Sequence, residues 1–169
     1  VSTTVYIGLG SDLGDRARFL AEAKRRISDL EGVEIIAASS VYLTEPQDME
    51  PGAPAFLNQV IKVEYDYRPM ELLRAMETIE LDLGRSGKGD CTPRTIDLDI
   101  LLFGDEIIDQ DRLTVPHRAL MTRPFALIPL LEIDPELSHP ANGRRLADRV
   151  RPKDYQKVEL YSDHVAREV

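Results

Sequence analysis

Thr95-Ile96-Asp97-Leu98-Asp99-Ile100-Leu101-Leu102-Phe103, entered through Pro93-Arg94, is the most strand-like stretch of the chain. It is rich in apolar and β-branched residues, and Gly104-Asp105 follows as its turn. In extended backbone, residues i and i+2 point the same way. Asp97 and Asp99 therefore share one face, and Ile96, Leu98 and Ile100 share the other. A strand polar on one face and apolar on the other belongs to a sheet whose helices cover the apolar side.

The elements on either side fit that sheet. Residues 3–9 (TTVYIGL) form a buried strand ending at Gly10. Asp15 caps a helix over 16–30, where Leu20, Ala23, Ile27 and Leu30 share a face, and Gly32 ends it. Residues 33–42 are a second strand. The segment 43–54 (LTEPQDMEPGAP) is a loop, with three prolines and a glycine. A third strand covers 56–67. Pro69 then opens a helix with a stripe of Leu72, Leu73, Met76, Ile79 and Leu83. Gly84 closes it, and 85–93 (RSGKGDCTP) is a second loop. A short helix is expected over 125–131, and from Pro135 the chain is charged and weakly periodic. The order β-α-β-β-α-β predicts an α+β fold, a ferredoxin-like sandwich with an antiparallel sheet and a C-terminal extension. The 169 residues suit a single domain over 1–169, with a core of about 3–137 and an extension of about 138–169.

Composition narrows the function classes. Lys+Arg number 21 against 30 Asp+Glu, a formal net charge of -9, which argues against nucleic acid or an anionic membrane as the main partner. No apolar run approaches the roughly 20 residues of a membrane-spanning helix. Cys91 is the lone cysteine, so no internal disulfide framework and no multi-cysteine metal site is expected. With no basic-then-apolar start visible, the expected compartment is the reducing cytoplasm.

Two glycine patterns resemble nucleotide loops and fail on spacing. Gly8-Leu9-Gly10-Ser11-Asp12-Leu13-Gly14 is one residue too long for the dinucleotide fingerprint and is expected to be a tight strand-to-helix turn. Gly87-Lys88-Gly89 lacks the upstream glycine of a P-loop and the hydroxyl residue that holds its metal.

The paired aspartates carry the chemistry. Adjacent carboxylates repel, and a hard divalent cation relieves that repulsion; Mg²⁺ favours one or two carboxylates plus substrate phosphates. On spacing alone, a metal site and a plain solvated strand face stand level. The neighbours tilt the balance: Arg85, Lys88 and Arg94 precede the strand, and His117, Arg118 and Arg123 follow it. Cations flanking an acid pair suit a metal–polyphosphate site.

The segment Pro93-Arg94-Thr95-Ile96-Asp97-Leu98-Asp99-Ile100-Leu101 closely resembles the signature of the 6-hydroxymethyl-7,8-dihydropterin pyrophosphokinase family. Further stretches agree in order: Gly10-Ser11-Asp12-Leu13-Gly14-Asp15-Arg16, Ser40-Val41-Tyr42-Leu43-Thr44-Glu45-Pro46, Phe56-Leu57-Asn58, and Val115-Pro116-His117 with Arg123 and Phe125. The resemblance runs from about residue 3 to 137 and implies a ferredoxin-like fold. It implies two Mg²⁺ ions, ATP as co-substrate, and attack of the pterin hydroxymethyl oxygen on the β-phosphorus of ATP with release of AMP. By the same resemblance Asp97 and Asp99 hold the metals, while Arg85 and Arg94 steady the phosphates. Glu80, His117 and Arg123 approach ATP, with Glu77 nearby. Phe56 and Phe125 sandwich the pterin, and Asn58 and Thr44 read its polar edge. The two loops are expected to close over the substrates. Where relatives often place a tryptophan before Gly-Pro-Arg, this chain has Cys91-Thr92-Pro93-Arg94 and no tryptophan.

The start at Val1 rather than Met is what a processed chain, or a piece of a fusion with other folate enzymes, would show. Two other classes remain open: another Mg²⁺-dependent phosphoryl or nucleotidyl transferase on the same fold, and a non-catalytic ferredoxin-like binding module. The expected partners are the small molecules ATP and the hydroxymethylpterin, with no nucleic acid and no membrane.

Overall fold

The computed structural model describes residues 1–12, 14–44, 55–84 and 96–161. Strand β1 (Thr3–Ser11) lies at the centre of the main sheet. It pairs antiparallel with β4 (Phe56–Tyr65) on one edge and β5 (Asp97–Phe103) on the other. The outer edge of β4 is shared by two shorter strands, β2 (Val33–Ala38) and β3 (Tyr42–Thr44). The resulting order β5-β1-β4-β2, with α1 (Arg16–Ser28) and α2 (Pro69–Asp82) as crossovers, is the α+β arrangement expected from the sequence.

Both helices start as their sequences dictate. The Asp15 side chain accepts a hydrogen bond from Arg18 N (3.3 Å) at the α1 N-terminus, and Pro69 occupies the first turn of α2. Gly32 has φ +82, and a Cβ there would meet the Tyr67 ring at 2.6 Å, so the turn after α1 requires glycine. Leu20, Ile27, Leu72 and Met76 bury against Ile7, Ile61, Val63 and Ile100 on one sheet face. At roughly 1.5–3 kcal/mol for each large aliphatic side chain removed from water, this layer is the main source of stability.

Helix α3 (Pro124–Ile133) covers part of the opposite face, packing Leu127 and Leu130 on Tyr6, Val60 and Leu101. The expected short helix is therefore present, slightly longer than 125–131. Pro129 lies inside it, fully within the apolar layer, and lacks the N–H that would have reached Phe125 O.

The single strand expected over 33–42 is two strands. The chain breaks at Ser39-Ser40, where Ser39 N donates to Val60 O (2.8 Å) and Ser39 Oγ accepts from Val60 N (3.0 Å). A hydroxyl that competes for the backbone ladder ends β2 and re-aims the chain into β3. The extension beyond α3 packs on the domain as far as it is described. Leu146 is completely buried in the second apolar layer. Strand β8 (Val158–Leu160) pairs with the free edge of β3, and a small hairpin joins β6 (Ile108–Asp109) to β7 (Thr114–Val115).

Candidate active site

The face of the sheet that carries α3 is only partly covered. Across its uncovered part run two rungs read from the strand registers: Asp97 opposite Gly10 opposite Asn58, and Asp99 opposite Gly8 opposite Val60. Directly opposed residues in antiparallel strands project to the same side. The two aspartates therefore stand beside two positions without side chains, and the glycines leave a floor of bare backbone. A Cβ at Gly10 would lie 3.2 Å from Asn58 Oδ1, and one at Gly8 would lie 3.4 Å from the Leu101 side chain. The turn expected over residues 8–14 is thus a strand as far as Ser11, and Gly14 takes the positive φ (+72) of a turn. The signal was present in the sequence as Tyr6-x-Gly8-x-Gly10, small residues at strand spacing on the face of the aspartates.

Above this floor lies a cavity of about 1370 Å³. Single small-ligand pockets run to roughly 300–1,000 Å³, so this one has room for two substrates side by side. Asp97, Asp99, His117, Arg123, Thr44, Phe56, Asn58 and Phe125 all line it. The structure thus gathers in one cavity the site residues expected from the sequence, with three exceptions. Arg85 and Arg94 lie outside the described residues, as do 45–54 and 85–93 of the two expected closing loops; Leu43 and Thr44, expected to open the first loop, belong to β3. Glu80 is buried away from the cavity lining, and its Oε2 accepts from Leu98 N (2.8 Å), the backbone amide between the two aspartates. It anchors the strand from behind. Glu77 accepts from Arg112 Nη2 (2.8 Å).

The local chemistry is directional. Asn58 Nδ2 donates to Thr44 Oγ1 (3.0 Å), so the amide is fixed and the Thr44 hydroxyl proton is free to point elsewhere. Thr44 is itself buried, where a polar group needs every partner it can find. His117 follows the cis Val115–Pro116 peptide, and its backbone N donates to Leu101 O (2.9 Å). Its Nδ1 accepts from Ala119 N (3.1 Å), which assigns the proton of the neutral ring to Nε2. That Nε2 lies 3.6 Å from Asp99 Oδ1, too long for a hydrogen bond but close enough for both to reach one ligand. The Arg123 guanidinium carbon stands 5.6 Å from the centre of the Phe125 ring, a cation–π arrangement at the start of α3.

Among the described residues no group of three or more His, Cys, Asp or Glu could hold a metal. The two carboxylates on one open face nonetheless suit a hard cation that takes its remaining ligands from water and substrate phosphate, as Mg²⁺ does. The sequence reading missed a further feature of the cavity: Arg144, Arg149, Arg151, Lys153 and Lys157, all exposed, line it from the segment after α3. Basic residues two and four apart in a charged, weakly periodic stretch look like solvated surface, so nothing local had marked them.

Comparison with known proteins shows the family to which the chain belongs. The family model described as 7,8-dihydro-6-hydroxymethylpterin-pyrophosphokinase matches residues 6–135. The chain is 36% identical over 158 residues to the 2-amino-4-hydroxy-6-hydroxymethyldihydropteridine pyrophosphokinase of Haemophilus influenzae, covering 93% of this chain and 98% of that protein. Its counterpart in Aquifex aeolicus is 40% identical over 145 residues, covering 86% of this chain and 89% of that one. The folic acid synthesis protein fol1 of Pneumocystis carinii is 40% identical over 143 residues; 85% of this chain matches, but only 19% of that longer protein. A crystal structure of Plasmodium falciparum HPPK-DHPS with pteroate superposes with a TM-score of 0.69 at 14% identity, over 88% of this chain and 44% of that one, which shows the common fold. On the family match and the identities to the bacterial enzymes, this chain belongs to the 7,8-dihydro-6-hydroxymethylpterin-pyrophosphokinase family.

Proposed function

We propose that this chain transfers the diphosphate of ATP to the hydroxymethyl group of 6-hydroxymethyl-7,8-dihydropterin and releases AMP. The observation that carries this reading is one cavity lined both by a carboxylate pair and by an amide–hydroxyl–aromatic slot. The first suits a metal-bound polyphosphate and the second a flat heterocycle with a polar edge.

Asp97 and Asp99 would hold two Mg²⁺ ions together with the phosphates. When bound, the metal neutralises the triphosphate and polarises the phosphorus under attack. The chain's own residues do the rest. Phe56 and Phe125 stack on the pterin, and Thr44 and Asn58 satisfy its donor and acceptor edge, leaving a wrong ring with unpaired groups. The hydroxymethyl oxygen forms a bond to the β-phosphorus and gives its proton to solvent, and the bond from that phosphorus to the α,β-bridging oxygen breaks, leaving its electron pair on AMP. His117 donates from Nε2 to a phosphate oxygen, and Arg123 balances phosphate charge while its other face holds the Phe125 ring. Arg85 and Arg94 join them on the resemblance. Glu80, placed near the nucleotide by the same resemblance, acts through β5, whose Leu98 amide it holds. No helix among the described residues is long and apolar enough to cross a membrane. The single cysteine supports a reducing, cytoplasmic setting.

AMP release from ATP and Mg²⁺, measured with and without the hydroxymethylpterin, tests the reading. AMP that appears only when pterin and metal are both present is the expected result. AMP released equally without pterin, or none at all from folded protein, overturns it.

A further inference from the structure

Glu132, near the end of α3, makes a contact that the proposed chemistry does not use. Its Oε2 accepts from Ser40 N (2.9 Å) and from Ser40 Oγ (3.1 Å), and its Oε1 accepts from Tyr42 Oη. One carboxylate thus gathers a backbone amide and two hydroxyls from the junction where β2 ends and β3 begins. The Ser40 amide lies in the break between those strands, so the carboxylate supplies a partner that the ladder does not.

The elements joined here each carry part of the pterin slot. Tyr42 opens β3, and Thr44 closes it. Tyr42 also lies opposite Asn58 in the register, and Asn58 is bonded to Thr44. On the other side, Phe125 lies about 10 Å back along α3 from Glu132, at 1.5 Å per residue. Along the body of α3 the contact is apolar, with Leu127 and Leu130 on Tyr6, Val60 and Leu101, and at the C-cap Asp134 accepts from Tyr6 Oη and pairs with Lys62 Nζ (2.9 Å). Apolar packing is non-directional: it fixes how far the helix stands from the sheet far better than how it slides along it. Three hydrogen bonds to one carboxylate are directional, and they fix the slide against β3, as Asp134 does against β1 and β4. We infer that Glu132 is a positioning residue, a clasp that sets the Phe125 ring against the Thr44–Asn58 pair and so tunes the slot for the pterin. Glu132 and Ser40 are exposed, so the clasp adds little to the stability of the fold.

The inference rests on the proposed pterin reading, and binding measured apart from turnover keeps the two distinguishable. Pterin binding is titrated by fluorescence, with and without a non-hydrolysable ATP analogue, for wild type, Glu132→Ala, Glu132→Gln and Tyr42→Phe. Steady-state KM for each substrate and thermal melting accompany the titration. For Glu132→Ala, the expected result is a roughly tenfold loss of pterin affinity with KM for ATP within about twofold, at about a tenfold loss per 1.4 kcal/mol of directional bonding. Glu132→Gln, which keeps one acceptor oxygen, recovers part of the loss, and Tyr42→Phe loses less than Glu132→Ala. Unchanged pterin affinity in Glu132→Ala overturns the clasp, as does an equal loss for both substrates. A wild-type chain that binds no pterin at all overturns the functional reading itself.

Discussion

The two faces of the central sheet are built from the same strands and end in opposite conditions. Toward α1 and α2, the strands present Ile7, Leu9, Leu57, Ile61, Leu98 and Ile100, all buried and all apolar. On the other side, the same strands present Tyr6, Gly8, Gly10, Asn58, Val60, Asp97 and Asp99. There α3 covers Tyr6 and Val60 and leaves the rest facing the cavity. Strict alternation would have kept every side chain of β5 in step. A register shift opposite Tyr6 and Ile7 puts both Leu101 and Leu102 in the α3 layer, so the strand is apolar on both faces beyond Asp99. The aspartates sit where the closed half gives way to the open half. One face therefore supplies the stability, and the other is free to place like charges side by side.

The most severe way to break this division is to truncate β5 on each face in turn. Asp97→Ala or Asp99→Ala should lower turnover by about a thousandfold or more while the melting temperature stays near wild type, because no buried apolar contact is lost. Ile100→Ala, one residue on and facing the helices, should cost about 2–5 kcal/mol of stability. Its turnover per folded molecule should stay much closer to wild type. AMP release and denaturant unfolding on the same samples would check both halves. An active double aspartate variant would remove the metal assignment.

A smaller effect sharpens the comparison within the open face. Gly10→Ala places a Cβ at 3.2 Å from Asn58 Oδ1, a fixed amide, whereas Gly8→Ala meets only the branched end of Leu101 at 3.4 Å. Gly10→Ala should raise the pterin KM by about tenfold, roughly 1.4 kcal/mol, and Gly8→Ala by clearly less. Equal effects would mean that the floor, rather than Asn58, is what the added carbon disturbs.

The smallest effect concerns the covered half and its pH dependence. Burial, and then the hydrogen bond from its hydroxyl to Asp134, push the Tyr6 phenol above its ordinary pKa of 10.0. The bond from Tyr6, and then Lys62 at 2.9 Å, hold the Asp134 carboxyl below its ordinary 3.8. The phenol favours the folded state below pH 10 and loses that contribution as pH rises through its folded value. The carboxylate contributes above about pH 4 and loses that contribution as pH falls through its own folded value. Melting temperature should therefore fall at both extremes. Tyr6→Phe should flatten part of each limb; Lys62 beside Asp134 and the lowered Glu22 keep some of the acid limb, and the raised Tyr42, Tyr65 and Tyr67 keep some of the alkaline one. Unaltered limbs in Tyr6→Phe would dissociate the Tyr6–Asp134 contact from stability.

The parts of the molecule legible from its sequence are those whose period is local. The β-α-β-β-α-β order, the Asp15 cap, the Pro69 start and the shared face of Asp97 and Asp99 follow from spacing two or four residues apart. What escaped depends on partners far along the chain. Gly8 and Gly10 belong to a strand because Asn58 and Val60 lie opposite them, and a glycine pair beside a helix cap otherwise looks like a turn. Ser39 ends β2 because Val60 offers its backbone to the serine hydroxyl. The segment 138–161 hangs on a few anchors such as Leu146 and Val158, with charged residues between them, too sparse to make a pattern. The proposed roles of Phe56, Phe125, Asn58 and Thr44 rest on family resemblance alone; without it, the two rings read as ordinary core.

The pairing of β8 with β3 bears on how this chain can be shortened. The family match ends at residue 135, and the extension looks dispensable by that measure. Yet Val158–Leu160 covers the outer edge of Tyr42–Thr44, the strand that carries Thr44 into the slot. A chain cut after the matched region would expose that edge as a row of unpaired amides and carbonyls, an invitation for another copy to add its own strand. Such a fragment would keep every described residue of the proposed pterin slot and would still tend to assemble edge to edge instead of remaining dispersed.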